Sequence, residues 1–413
     1  MPLLLQPSYA RSKSSLFDDL RNFRISLKWC ALDHSSCAGK LVSYFVFFFL
    51  TIIVPIVSCL SVKTQPADDY SFSFNLLAQF PESGLAAIAF LTLLRFFKKY
   101  GLRQLLFLDG LQDDSILVRR GYTRELDRAF RYLACILLPS FFVELAHKII
   151  FFSSVKISLP YVNISSGFPL NSTMFVLVLV SWVYRTGVFL LVCVLFRLTC
   201  ELQILRFGGL HKMFEGRGSD VGVIFREHVR IKKQLSATSH RYRFFIITCS
   251  VVITVSQFAA LLLVLIPKSD KSFLNSGDLV VCSAAQLSGF FLCLLGAARI
   301  THRAQGIVSV ATRWHMSVSC GSSAGSDEPK LHVPRDSDGG DTDSDSSDIF
   351  PCTVSSQDSA FYQTRQALVD YLRHNNGGIT LYGYALDRGL LHTLFAFEFS
   401  LVMWILSKVV VLS

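Results

Sequence analysis

The chain has 413 residues, of which 51% are hydrophobic, 13% aromatic and only 17% charged, and its mean hydropathy is +0.44. A soluble chain of this size carries nearer a quarter charged residues and disperses its apolar ones by period, so a soluble domain is excluded and a polytopic membrane protein is indicated. The formal net charge of +10 would suit a nucleic-acid binder, but the cations follow membrane topology and no nucleic-acid partner is expected.

Residues 1–40 read as a cytosolic N-terminal segment. MPLLLQPSYA is too short an apolar run for a signal peptide and leads into a polar, basic stretch. A helix needs about 20 mostly apolar residues to cross the hydrocarbon core. Crossings are predicted at 41–62, 129–153, 173–197, 244–266, 278–298 and 389–411. A seventh, 73–97, is interrupted by FPESG (80–84), where Pro81 and Gly84 predict a kinked or late-starting helix.

The distribution of Lys and Arg sets the orientation. Residues 1–40 carry six, 95–131 nine, 197–243 ten and 299–388 eight. The alternating links and the C-terminal end carry only Lys63, Lys156, Lys268, Lys271 and Lys408, while Lys148 and Arg185 fall inside crossings. The N-terminus is therefore cytosolic, and seven crossings place the C-terminus outside. Two glycosylation sequons, at Asn163 and Asn171, fall in the loop between the third and fourth crossings, which the charge rule makes external.

Crossings one to six with their cytosolic helical extensions occupy 41–316. The basic FREHVRIKKQLSATSHRYRF reads as ordinary cytosolic charge at helices that extend the fourth and fifth crossings. Residues 317–357, rich in Ser, Asp and Gly, read as a disordered acidic loop. Its run of Asp341, Asp343 and Asp345 fails as a calcium loop, because Ser346 and Cys352 stand where Gly and Glu are needed. The last block, 358–413, holds an amphipathic cytosolic helix (358–376), stopped by Gly377 and Gly378, and the seventh crossing.

The chain shows no P-loop, no GxSxG elbow, no HExxH and no dinucleotide fingerprint. The ten histidines form no ligand cluster, and the eleven cysteines show no CxxC. No enzyme, cofactor or metal is expected. A bridge between Cys59 and Cys282, both near outer membrane edges, is compatible with the topology. What remains are polar groups inside crossings, which are costly in lipid and so paired, hidden or functional. Glu144 and Lys148 form an i, i+4 pair on one face of the third crossing, and His147 shares that face. Arg185, midway along the fourth, needs a counter-charge, with Glu398 of the last crossing the first candidate and Glu144 the second. Structural ion pairing and a ligand or ion pathway both fit these groups.

The C-terminal stretch GITLYGYALDRGLLHTLFAFEFSLVMWIL (378–406) resembles the last segment of insect gustatory receptors. Gly383-Tyr384, Leu386-Asp387 and Leu390-Leu391 match its first part. Glu398-Phe399 stands where Gln-Phe is found, and Leu391-His392 where Thr-Tyr is found. ITHRAQGIVSVATRWHMSVSC (300–320) and RQALVDYLRHNN (365–376) resemble the plant branch more closely, gustatory-receptor-like proteins described as extracellular ligand-gated ion channels. The resemblance implies an all-α, seven-helix plasma-membrane protein working as a homotetramer, with the last helix lining a cation pore. It also implies a small-molecule ligand in the outer half of the bundle and a cytosolic anchor between subunits. Under it, Glu398, His392 and Phe399 are pore candidates, and four Glu398 carboxylates would form an acidic ring. A non-conducting membrane scaffold and a secondary transporter are the alternatives. Membrane lipids and inorganic cations are the other expected partners.

Overall fold

The computed structural model describes residues 37–61, 69–100, 114–154, 170–215, 220–265, 273–323, 356–375 and 377–412. The first crossing is built from α1 (Cys37–Phe48), a π-helical turn (Phe49–Ile53) and α2 (Val54–Ser61). The next five are α3 (Asp69–Lys99), α4 (Ile116–Ser154), α5 (Leu170–Glu215), α6 (Val221–Leu265) and α7 (Phe273–Ser323). A short helix α8 (Ser356–His374), a hairpin of β1 (Thr380–Leu381) and β2 (Tyr384–Ala385), and α9 (Arg388–Leu412) complete the described chain. Seven helical segments are long and apolar enough to cross a membrane among the described residues.

The helices outrun the bilayer. At 1.5 Å per residue the 46 residues of α5 extend about 70 Å, against roughly 30 Å of hydrocarbon. The surplus projects on the charge-rich, cytosolic side. Helix α5 is the axis of the bundle, and every residue from Val188 to Gln203 is buried. That burial explains why VFLLVCVLF (188–196) is apolar on all faces, as befits a helix ringed by others. Helix α7 lies against it closely enough that a Cβ on Gly289 would meet Leu190 at 2.3 Å, the small-residue contact that lets helices approach in lipid. Leu138, Phe142, Ile149, Val251, Val255 and Leu262 remain on the outside of α4 and α6, the composition of a lipid-facing surface.

Prolines are absorbed rather than terminating helices. FPESG does not interrupt the second crossing, because α3 runs unbroken from Asp69 to Lys99 with Pro81 inside it. In the first crossing, the π-turn pairs Val54 N–H with Phe49 O. The corresponding donor for Leu50 O would be Pro55, which has none. Ser181 on α5 supplies the missing hydrogen at 2.5 Å, as hydroxyls commonly do beside prolines in membrane helices.

On the cytosolic side Asp114 accepts from Arg206 (Nη2, 2.8 Å) and from Arg230 (Nη2, 2.6 Å), tying the start of α4 to α5 and α6. Helix α8 buries Leu368 and Leu372 in the main core, and Lys232 Nζ donates to Asn375 Oδ1 at 2.6 Å. The stretch between α8 and α9 is pinned in turn: Ile379 N donates to Thr301 Oγ1 and Thr380 N to Ser239 Oγ, both at 3.1 Å. Tyr382 and Gly383, with φ of 49° and 94°, make the tight turn of the hairpin. Residues 317–323 of the expected acidic loop belong instead to α7, which continues to Ser323; residues 324–355 lie outside the described residues, as do 1–36.

Candidate functional site: a buried polar cluster and the last helix

Four helices bring polar side chains to one place in the half of the bundle that the charge rule puts outside. Helix α3 contributes Gln79, Glu82 and Ser83, α4 contributes Glu144, His147 and Lys148, α5 contributes Ser181, Arg185 and Thr186, and α7 contributes Asp278 and Cys282. Glu82, Glu144, His147, Lys148, Arg185 and Asp278 are all buried. Such charges persist in a low-dielectric interior only when paired and hydrogen-bonded.

The cluster has two linked parts. In the first, Arg185 Nη2 lies 3.1 Å from Glu82 Oε2. Its Nη1 donates to Ser83 Oγ at 3.0 Å and to Gln79 O at 3.3 Å, and its Nε donates to Ser181 O at 3.4 Å. Thr186 Oγ1 donates to Glu82 Oε1 at 2.8 Å, and Cys282 Sγ lies 3.8 Å from Glu82 Oε2. In the second, Lys148 Nζ pairs with Asp278 Oδ2 and lies 3.6 Å from Glu144 Oε1. His147 Nδ1 lies 2.6 Å from Asp278 Oδ1. Glu144 Oε2 is buried with no hydrogen-bond partner among the described residues.

The i, i+4 spacing of Glu144 and Lys148 therefore does put them in contact, with His147 on the same face. The counter-charge expected for Arg185 is different: it is Glu82, within FPESG, and neither Glu398 nor Glu144. Proximity decides this, because the continuous α3 carries Glu82 to the depth of Arg185. Asp278 and Glu82 were missed as partners because they lie 130 and 103 positions from Lys148 and Arg185. Their one sequence signal was that the crossings hold more acids than the recognised bases required. Cys59 and Cys282 are both free and buried, so no bridge joins them.

Glu398 has its own setting. It is 2% exposed in the subunit, and Thr254 on α6 donates its hydroxyl to Glu398 Oε1. The carboxylate thus faces its own bundle, which is the wrong side for an acidic ring. The opposite side of α9 carries Gly389, Thr393, Ala396, Ser400, Met403 and Ser407, all exposed. At 100° per residue these fall within about 40° of one line. His392 and Phe399 flank that line and are exposed too. Of the two glycosylation candidates, Asn163 lies outside the described residues. Asn171 is the second residue of α5, and its Nδ2 donates to Phe152 O at 3.0 Å.

The fold has a solved counterpart, the insect olfactory receptor OR5 from Machilis hrabei. The two share 13% identity, with a TM-score of 0.56 over 90% of each chain. No curated protein matches the sequence. A family model described as a protein of unknown function (DUF3537) matches residues 18–397, and the chain belongs to that family.

Proposed function

We propose that the protein is a chemoreceptor-like, ligand-gated cation channel. Copies of the chain assemble around an axis lined by α9, four of them by the resemblance of its C-terminal segment to gustatory receptors. The observation that carries this reading is the exposed line Thr393, Ala396, Ser400 and Ser407 on a helix otherwise fit for lipid. Hydroxyls and small residues facing hydrocarbon gain nothing, whereas lining an aqueous path or a close helix contact uses them. The fold shared with an insect olfactory receptor supports the same reading. Glu398, buried against α6, serves in this arrangement to fix the rotation of α9, with Thr254 as its partner.

The test is current recording from the purified protein in liposomes under a ligand screen, combined with cysteine substitution along α9. Thr393→Cys and Ser400→Cys should make the current sensitive to a charged, membrane-impermeant thiol reagent applied to open channels. Leu401→Cys, on the buried side, and the parent chain should be insensitive. Sensitivity at Leu401→Cys but not at Ser400→Cys would reverse the assignment of the pore face. Ligand-coupled uptake without unitary conductance would replace the channel by a transporter.

A further inference from the structure

The half-satisfied part of the polar cluster holds more than an ion pair. Glu144 and His147 stand three residues apart on α4, so both project from one helix face. Asp278 meets them from the start of α7. One ligating atom from each of the three lies within 4.8 Å of the others, the only such group of three His, Cys, Asp or Glu side chains among the described residues. Glu144 is 1% exposed and its Oε2 has no partner there. A buried carboxylate oxygen left bare is costly, and the other donors of the group are an imidazole nitrogen and a second carboxylate.

We infer that Glu144, His147 and Asp278 bind one divalent transition-metal ion of the zinc class. One imidazole with two carboxylates suits zinc and its neighbours better than calcium or magnesium, which favour all-oxygen shells. Three protein ligands with the fourth position left to water is a coordination that zinc adopts in proteins. Tetrahedral bonds of about 2 Å put ligand atoms about 3.3 Å apart, so His147 Nδ1 and Asp278 Oδ1 part from 2.6 Å as the metal enters between them. Lys148 holds the other carboxylate oxygens, Asp278 Oδ2 and Glu144 Oε1. It orients both ligands but, as a neighbouring cation, opposes the metal. The Asp278 side chain keeps 12% exposure, which supplies an entry from the outer side. None of this requires that the protein conduct ions.

The experiment uses the full chain, purified in detergent and treated with chelator, and titrates it with Zn2+ by calorimetry in buffers of different ionisation enthalpy. One ion per chain is expected. His147→Ala should weaken binding roughly tenfold or more, and Lys148→Gln should tighten it by a similar factor, a gain that adventitious surface sites would not show. Zinc K-edge absorption of the unmutated protein should show oxygen and nitrogen neighbours at about 2.0 Å with one imidazole, a measurement that stands even if a variant fails to fold. Sulfur at about 2.3 Å, two or more imidazoles, no binding at about 100 micromolar zinc, or an unchanged affinity in folded His147→Ala would each overturn the proposal.

Discussion

Arg185 shows what a single charge in a membrane helix demands. Its guanidinium reaches Glu82, Ser83 and the Gln79 carbonyl on α3 while its Nε turns back to Ser181 O on its own helix. Removing one member of such a pair leaves the other buried and uncompensated, which costs about 3–5 kcal/mol, whereas replacing both by apolar groups is often tolerated. Arg185→Met should therefore lower the melting temperature of the purified protein sharply, and adding Glu82→Met should restore most of the loss. Glu398→Gln should add independently of either change, within about 0.5 kcal/mol, because it belongs to a separate contact with Thr254. If Glu398→Gln rather than Glu82→Met rescues Arg185→Met, the pairing described above is wrong.

At the scale of elements, the connection from α8 to α9 is held by backbone rather than by side-chain bulk. Gly378 has φ of 156°, and a Cβ there would stand 2.9 Å from Thr301 Cγ2. The approach is what lets Ile379 N reach Thr301 Oγ1 and Leu386 N reach Ile379 O at 2.9 Å. Gly378→Ala should destabilise the protein by about 1–3 kcal/mol, read as a lower melting temperature, while Gly383→Asn, at φ 94° in an open turn with nothing within 4 Å, should cost less, because backbone strain opposes it without a clash. Equal effects of the two would show that the hairpin contact does not carry the anchor. The same reasoning explains the long helix α7: its upper half packs on α5 through Gly289, and its lower half receives the hairpin through Thr301.

At the scale of the molecule, one long buried helix, α5, organises the bundle, and the remaining crossings differ mainly in what their outer faces meet. Faces of Leu, Val, Ile and Phe on α4 and α6 suit lipid, and the hydroxyl-bearing face of α9 suits another copy or water. The orientation can be checked by glycan mapping. Expressed in a cell that glycosylates, the protein should lose a mobility step when treated with a glycosidase, and Asn163→Gln should abolish that step. Asn171→Gln should leave it in place, since the Asn171 Nδ2 is already donated to Phe152 O at the helix start. No glycan on either residue, together with modification of an acceptor placed in the N-terminal segment, would invert the topology.

Much of this was legible in the residues themselves. Seven crossings and their direction follow from apolar length and from where Lys and Arg fall, because both are summed over many residues and survive errors in any one. The Glu144–Lys148 contact was legible too, since helical period is local. FPESG reads as an interruption because proline and glycine report local backbone preference, yet α3, packed among α5, α6 and α7, continues through it from Asp69 to Lys99. The partners of Arg185, Lys148 and Glu398 were hidden for a different reason: Glu82, Asp278 and Thr254 are each more than a hundred positions away from them, and only the rotation of each helix about its axis brings the pairs together. That rotation is set by side-chain packing over the whole bundle. The sequence alone thus determined how many helices cross and which way, and the tertiary structure alone decided which face each one turns inward, and with it the fate of every buried charge.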